Sequence, residues 1–410
     1  MPKGLTPEQR ARFEPFLGFR IQGVCGTEDL DRLQRFGVNT VRGYTIPSGP
    51  AMRAELDKVH RRGMKMIISE WMPHHGENKG DQGGTWNFDY DERGDAMVEK
   101  FVEKIEAVGD HPAILMWGLG NEVPCEPAYL RVVNRMSEAI HKRFPNHITS
   151  LTMINAKPEA IAAVKRYAPD LDVLGIQSYS PGAVRNAIKN TEQHWGRPFY
   201  FSEFNGKGPW NFAKTDWGEA LDEPVPQKVR DLKSCYQAID ASPLALGSTV
   251  FVWGHFRVGR PTYFSLLLAK HPDGVPEGQG VESLLVTPQA EVLAEHFTGR
   301  RIRGNRAPVL TRVEFPRGER SASVRPAEGV RVRLAASDRD GDRVALVAWV
   351  LDSKPRKPVA VAGPYESGSS GLVRFDAPDE PGEYLVMAYA LDGNGGASAS
   401  TLPLQVLGTE

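Results

Sequence analysis

A chain of 410 residues is too long for one ordinary hydrophobic core, so two domains are expected. Its 50 Lys+Arg against 51 Asp+Glu leave a net charge of -1. No sign dominates, which argues against nucleic acid or an anionic membrane as partner and favours a neutral or only locally charged substrate. Three cysteines, Cys25, Cys125 and Cys235, are too few and too scattered for a metal motif and read as small buried hydrophobes. Met1 to Phe16 is polar and lacks the apolar core of a signal peptide, and no long apolar run marks a membrane span. The compartment stays open: secreted or periplasmic if an export signal has been removed, otherwise cytoplasmic.

From Phe19 to about Gly299, short apolar runs alternate with amphipathic stretches, the pattern of βα units around a parallel sheet. Eight strands are predicted, at Phe19–Val24, Thr40–Gly43, Met66–Glu70, Ile114–Leu119, Ser150–Met153, Val173–Gln177, Phe199–Glu203 and Thr249–Trp253. Helical patterns such as Glu28–Phe36 and Asp95–Val108 lie between them. Eight such units close into an α/β (β/α)8 TIM barrel, whose functional residues sit at strand C-terminal ends. The Gly- and Pro-rich segment Gly254 to Pro288 is expected to be a loop over the barrel mouth, and Gln289–Phe297 a final helix.

Composition then shifts. Gly299–Ala307 is a basic linker, and strands follow in quick succession at Val330–Ala335, Val344–Leu351, Leu372–Phe375 and Tyr384–Leu391. Asp340-Gly341 and Asp392-Gly393 supply turns. The expected division is therefore a catalytic barrel over 1–300 and a C-terminal immunoglobulin-like β-sandwich over 308–408. The polar linker and the lack of an aromatic cluster suggest a sandwich that props the barrel. Asp338-Arg-Asp-Gly-Asp342 resembles a calcium loop without the closing glutamate, and a plain turn is the preferred reading.

Two segments carry chemistry. In His111-Pro-Ala-Ile-Leu-Met-Trp-Gly-Leu-Gly-Asn121-Glu122 an apolar strand delivers two polar residues at its C-terminal end. In Arg197-Pro-Phe-Tyr-Phe-Ser-Glu203-Phe-Asn205-Gly206 a second strand ends in a single Glu. The competing reading of the first glutamate is an ion pair with a neighbouring Arg or a helix cap. Two glutamates at two strand ends supply the pair that glycoside hydrolysis needs, one protonated and one ionised.

These segments resemble the signatures of clan A glycoside hydrolases, and the first is closest to family 2. The resemblance implies Glu122 as general acid/base after the fourth strand and Glu203 as nucleophile after the seventh. It implies further that Asn121 bonds the sugar 2-hydroxyl and that Arg42, in Asn39-Thr-Val-Arg-Gly-Tyr44, lies near the nucleophile and keeps it ionised. Tyr179 resembles the tyrosine that bonds the nucleophile, and Gln177 stands where the clan often has His. Trp253, read as the end of the eighth strand, matches an aromatic platform under the reactive sugar. Trp71 stands between similar work and an ordinary core role. His74, His75 and His255 are candidates for polar groups of the sugar subsites. The clan's chemistry requires neither metal nor cofactor.

Seven of the eight tryptophans precede residue 300, and Trp86, Trp210 and Trp217 fall beyond strand ends, which suits a polysaccharide or oligosaccharide. A barrel followed by an immunoglobulin-like domain is similar to glycoside hydrolase family 158, which acts on β-1,3-glucans. Phe36-Gly-Val-Asn-Thr-Val-Arg-Gly-Tyr44 also resembles fungal β-1,3-glucanosyltransferases. The expectation is a retaining β-glycoside hydrolase acting on a β-glucan, with β-1,3 linkage favoured. A transglycosylase, or a β-mannan or β-galactoside hydrolase, is the alternative. A non-catalytic carbohydrate-binding protein would be expected to lose one carboxylate, and both are here. Oligomeric state is not legible.

Overall fold

The computed structural model describes residues 6–46, 49–73, 89–122, 125–256, 260–272, 274, 280–353, 358–366 and 370–408. Eight parallel strands close a barrel in chain order. They are β1 Ile21–Cys25, β2 Thr40–Arg42, β3 Lys65–Glu70, β4 Ile114–Asn121, β5 Thr149–Ile154, β6 Val173–Tyr179, β7 Phe199–Asn205 and β8 Ala245–Val250. After α1 (Pro7–Arg12), the helices alternate with them: α2 Leu30–Arg35, α3 Pro50–Arg61, α4 Tyr90–Val108, α5 Pro127–Arg143, α6 Pro158–Tyr167, α7 Pro181–Asn190 and α8 Val225–Ala241.

Seven strands fall where the apolar runs predict them, within about two residues at most ends. The eighth does not. It starts at Ala245 and ends at Val250, so Trp253 follows the strand instead of ending it. Gly247, at φ 122°, interrupts the apolar run that would have marked its start. The carbonyl and amide of Ile21 on β1 crowd this glycine, and a Cβ there would lie 2.2 Å from the Ile21 oxygen. Close backbone approach explains why the position is glycine.

The helices bury one face each. In α5 the buried residues Tyr129, Leu130, Val132, Val133, Met136 and Ile140 recur at helical spacing. The N-terminal end of the barrel is closed by apolar side chains, among them Phe13, Ile21, Ile67, Met116 and Tyr200. Polar chemistry is thereby left to the opposite, C-terminal end.

At the N-terminal end of β5 and β6 lies a buried ionic network. His141 contacts Asp170 through Nδ1 at 2.6 Å and Asp172 through Nε2 at 2.9 Å. Asp172 also accepts from Arg12 at 2.9 Å and from the Thr149 N–H at 3.0 Å. Burial pulls the His141 pKa down, but Asp170 and Asp172 outweigh it and the net shift is upward.

The chain divides into two compact units. The first is Met1–Phe204 with Cys235–Phe251; the second is Asn205–Ser234 with Val252–Glu410. The second unit holds α9 Pro261–Phe264, the short hairpin β9 Leu267–Leu268 and β10 Leu285–Val286, and α10 Pro288–Thr298. It also holds a β-sandwich. One sheet has the order β11 (Val309–Glu314), β13 (Gly329–Ser337), β16 (Ser370–Asp376). The other has the order β12 (Ala322–Val324), β18 (Ala397–Val406), β17 (Gly382–Leu391), β14 (Ala345–Asp352), β15 (Pro358–Glu366). Alternate residues of both sheets, such as Val330, Val332, Leu334, Leu346, Ala348 and Val386, form its core. Val225, from the segment after β7, joins that core.

Folding raises the His141 pKa, so its stabilisation is complete below the unfolded value of about 6.5 and fades as pH rises through the folded value. A His141→Gln variant should melt well below wild type at pH 5.5 to 6. The gap should narrow steadily on the alkaline side of neutrality. A gap that widened with pH in parallel melts would contradict the ionic account.

Candidate active site

The fourth strand reaches its functional residues by breaking its own register. Gly118 pairs with Ser150, but Asn121 pairs with Thr152, so β4 carries an extra residue in between. Such a bulge re-aims the side chains that follow it. Gly120 makes it possible, at φ 93°, a conformation that suits glycine. It also lies against Tyr129, whose hydroxyl donates to the Leu119 carbonyl at 2.9 Å. A Cβ at Gly120 would stand 2.2 Å from that hydroxyl. Beyond the bulge Asn121 turns into the barrel, and Glu122 adopts φ 56°, a strained value for a non-glycine residue.

Glu203, from β7, is buried and held by four donors. Its Oε1 accepts from Arg42 Nη1 at 2.8 Å, from the Tyr44 hydroxyl at 2.8 Å and from Gln177 Nε2 at 2.6 Å. Its Oε2 accepts from the Tyr179 hydroxyl at 2.7 Å. Arg42 is fully buried; it also donates to the Ser202 carbonyl at 3.2 Å and, through Nη2, to Asn121 Oδ1 at 2.7 Å. Gln177 Nε2 donates to the same Asn121 oxygen at 2.7 Å. With Oδ1 engaged twice, the Asn121 amide nitrogen is the part left for a ligand.

The electrostatics separate the two glutamates. Burial raises the Glu122 pKa, the negative Glu203 raises it further and Arg42 pulls the other way; the outcome is about 7. Glu122 therefore holds its proton up to neutrality. Burial works against the Arg42 charge, but Tyr44 and Glu203 more than restore it, and the guanidinium stays ionised. Burial, then charge, pushes the Tyr44 and Tyr179 phenols well above their usual range, so both remain donors. Cys25 lies beneath, 3.9 Å from Arg42, its thiol pushed up to about 11 chiefly by burial.

Of the residues singled out in the sequence, the fold brings Arg42, Asn121, Gln177, Tyr179 and Glu203 into one bonded cluster, with Glu122 beside it. Trp71 follows β3 with 36% of its surface exposed, which sets aside the core reading. Trp253 and His255 follow β8 in the second compact unit, where Trp253 is buried and His255 accepts from the Ala269 N–H at 3.1 Å. His74, His75 and Trp86 lie outside the described residues. Trp117 and Trp195 are core residues, whereas Trp210 is exposed. Cys25 and Cys235 are buried and Cys125 half-buried, all as free thiols. Tyr44 was not singled out; its place two residues after Arg42 was the available signal. Among the described residues, the cluster that could hold a metal is Asp338, Asp340 and Asp342, whose carboxylates lie within 4.8 Å of one another. There Asp338 accepts from the N–H groups of Asp340 and Asp342, as in a self-capped turn.

Residues 15–204 match the TIM barrel domain of glycosyl hydrolases family 2. Among curated proteins, no sequence matches the chain. Solved structures with similar folds include Ruminococcus gnavus β-glucuronidase, at 14% identity and a TM-score of 0.48 over 67% of this chain and 46% of that one. Parabacteroides merdae β-glucuronidase gives 14% identity and a TM-score of 0.45 over 96% of this chain and 51% of that one. Saccharomyces cerevisiae Gas2p in complex with laminaritriose and laminaritetraose gives 16% and 0.46 over 70% and 66%. The chain thus spans about half the length of the two glucuronidases. Over residues 15–204 the closed barrel is thus similar to the TIM barrel domain of glycosyl hydrolases family 2.

If the β4 bulge aims Asn121 and Glu122, then filling it should misdirect them. Gly120→Ala should lower stability by about 1–3 kcal/mol, the range for a strained backbone position, and lower any activity at least tenfold. Adding Tyr129→Phe removes the oxygen that the new methyl strikes and should recover part of both. Thermal melts and rate measurements on the single and double variants would decide. Full activity in Gly120→Ala would contradict the aiming role.

Proposed function

We propose that the chain is a retaining β-glycoside hydrolase in which Glu203 is the nucleophile and Glu122 the general acid/base. The observation that carries the reading is the contrast between the two carboxyls. Glu203 accepts four hydrogen bonds, one of them from a buried guanidinium. Glu122, with its pKa near 7, is kept as the acid.

The bonding also selects the attacking atom. Oε1 is occupied by Arg42, Tyr44 and Gln177, whereas among the described residues Oε2 carries only the Tyr179 bond. Oε2 therefore attacks the anomeric carbon while Glu122 gives its proton to the departing glycosidic oxygen. The C–O bond to the leaving sugar breaks as the bond to Oε2 forms. In the second step Glu122 takes a proton from water, whose oxygen replaces Oε2. The Asn121 amide donates to the 2-hydroxyl, a contact that strengthens in the transition state. The mechanism requires carboxyls about 5–5.5 Å apart.

For substrate we favour a β-glucan, with β-1,3 linkage first. The support is the likeness of Phe36–Tyr44 to β-1,3-glucanosyltransferases, a segment that here supplies both Arg42 and Tyr44 to Glu203. The second reading, a transglycosylase on the same substrate, uses the same first step and a sugar in place of water.

Two measurements test the roles. With a good aryl leaving group, Glu122→Ala should form the glycosyl-enzyme and stall, and azide should restore turnover as the β-glycosyl azide. Glu203→Ala should give no such rescue, and any azide product should be the α-anomer; the reverse assignment of anomers would sink the proposal. In wild type, kcat/KM should fall on the alkaline side with an apparent pKa near 7, because Glu122 must be protonated to donate. That limb should vanish in Glu122→Gln when the leaving group needs no proton.

A further inference from the structure

We infer that Ile154, at the end of β5, forms an apolar wall of the subsite for the leaving sugar, and so sets which acceptors and leaving groups the enzyme uses. This rests on the assignment of Glu122 as acid/base.

The position follows from register. In β5, Thr152 pairs with Asn121 on one side and with Gly175 on the other, and Ile154 pairs with Gln177. Paired residues of adjacent parallel strands share a face, and alternate residues of one strand do too. Gln177 points inward, because its amide bonds Asn121 and Glu203. Ile154 therefore stands on the inner face of the barrel, one strand from Gln177 and one step above the level of Asn121.

Its exposure is the anomaly. Ser150 and Thr152, below it on the same face, are fully buried, yet Ile154 is 48% exposed. Among the described residues, the large apolar side chains exposed in the first unit are Leu17, Trp71 and Ile154. Leu17 precedes β1, away from the strand C-terminal ends. Trp71 and Ile154 sit at the ends of β3 and β5, the two neighbours of the strand that carries Glu122. A β-branched apolar residue half open to solvent there is not explained by packing alone, and it suits the C–H face of a pyranose ring.

The turn after it is built at a cost. Asn155 and Ala156 both adopt positive φ, 55° and 43°, although neither is glycine. The turn is pinned to β6. The Asn155 N–H donates to the Gln177 carbonyl at 2.9 Å, and the Ser178 hydroxyl donates to Asn155 Oδ1 at 2.7 Å. Strain held in place by such bonds is characteristic of positioned ligand contacts. The group that receives the Glu122 proton must lie on the Glu122 side of the cleft, which is where Ile154 stands.

The test compares two donors with the same glycone. One is a β-1,3-linked glucotriose, whose leaving group is a sugar. The other is the β-fluoride of its disaccharide, whose leaving group occupies no sugar subsite. Ile154→Ala should lose about tenfold or more in kcat/KM on the trisaccharide and stay within about twofold on the fluoride. With the fluoride as donor and glucose added as acceptor, the ratio of transfer to hydrolysis should fall by a similar factor, and Ile154→Leu should restore both. Equal losses on both donors would overturn the proposal and move Ile154 to the glycone side or to the fold. Unchanged kinetics on both would overturn it outright. Wild-type protein that cleaves neither donor would overturn the β-1,3-glucan reading, and this inference with it.

Discussion

One buried cation organises the mouth of this barrel. The Arg42 guanidinium is fully sealed from solvent, and its two outer nitrogens bind groups from two other strands, Glu203 on β7 and Asn121 on β4. A charge buried so completely is tolerable only with a partner of opposite sign, so Arg42 and Glu203 each make the other's ionised state affordable. The same pairing reaches Glu122. A second carboxylate near Glu203 meets both burial and an anion, and it keeps its proton. The proposed division into acid and nucleophile thus rests on burial at Glu122 and on the charge that Arg42 pairs with at Glu203.

Strain is concentrated at the same end of the molecule. Among the described residues of the first unit, the non-glycine residues with positive φ are Asp29, Glu122, Asn155, Ala156 and Ser180. Each follows a strand C-terminal end, after β1, β4, β5 or β6. The strand bodies below are largely buried, and they supply the stability against which such conformations persist. Ser180 directly follows Tyr179, and Glu122 directly follows Asn121, so the distorted residues adjoin those that bond the Arg42–Glu203 pair.

The barrel and its two glutamates were legible because they rest on local patterns. Parallel strands buried on both faces read as apolar runs, and a carboxyl at the end of such a run has few structural explanations. Arg42 and Tyr179 were legible through resemblance. What the sequence hid depends on three-dimensional register. Gln177 could be located, but not the two hydrogen bonds its amide donates to Asn121 and Glu203. Tyr44 lies in a segment without periodicity, and only closure of the barrel carries its hydroxyl to Glu203. The start of β8 was hidden by Gly247, whose role appears only when β1 lies against it. Strands β11, β12, β15 and β18 were missed because edge and Pro-containing strands carry weak alternation.

The segments that leave β7 and β8 show a dependence that composition could not suggest. A change from βα units to antiparallel strands near residue 300 invites a cut there. Packing groups 205–234 and 252–300 with the sandwich instead. Asp222 explains much of this. Its buried carboxyl pairs with Lys228 at 2.8 Å and accepts from the Thr401 N–H at 3.2 Å, a backbone group of β18. Arg260 donates to the Ala220 carbonyl at 3.1 Å and to the Thr401 hydroxyl at 3.2 Å, and Val225 fills the sandwich core. Buried polar groups that lose such partners pay the full cost of desolvation. The sandwich is therefore part of the environment in which these two segments hold their shape, and a chain ended at the linker would take from Asp222 and Arg260 the bonds each makes to Thr401.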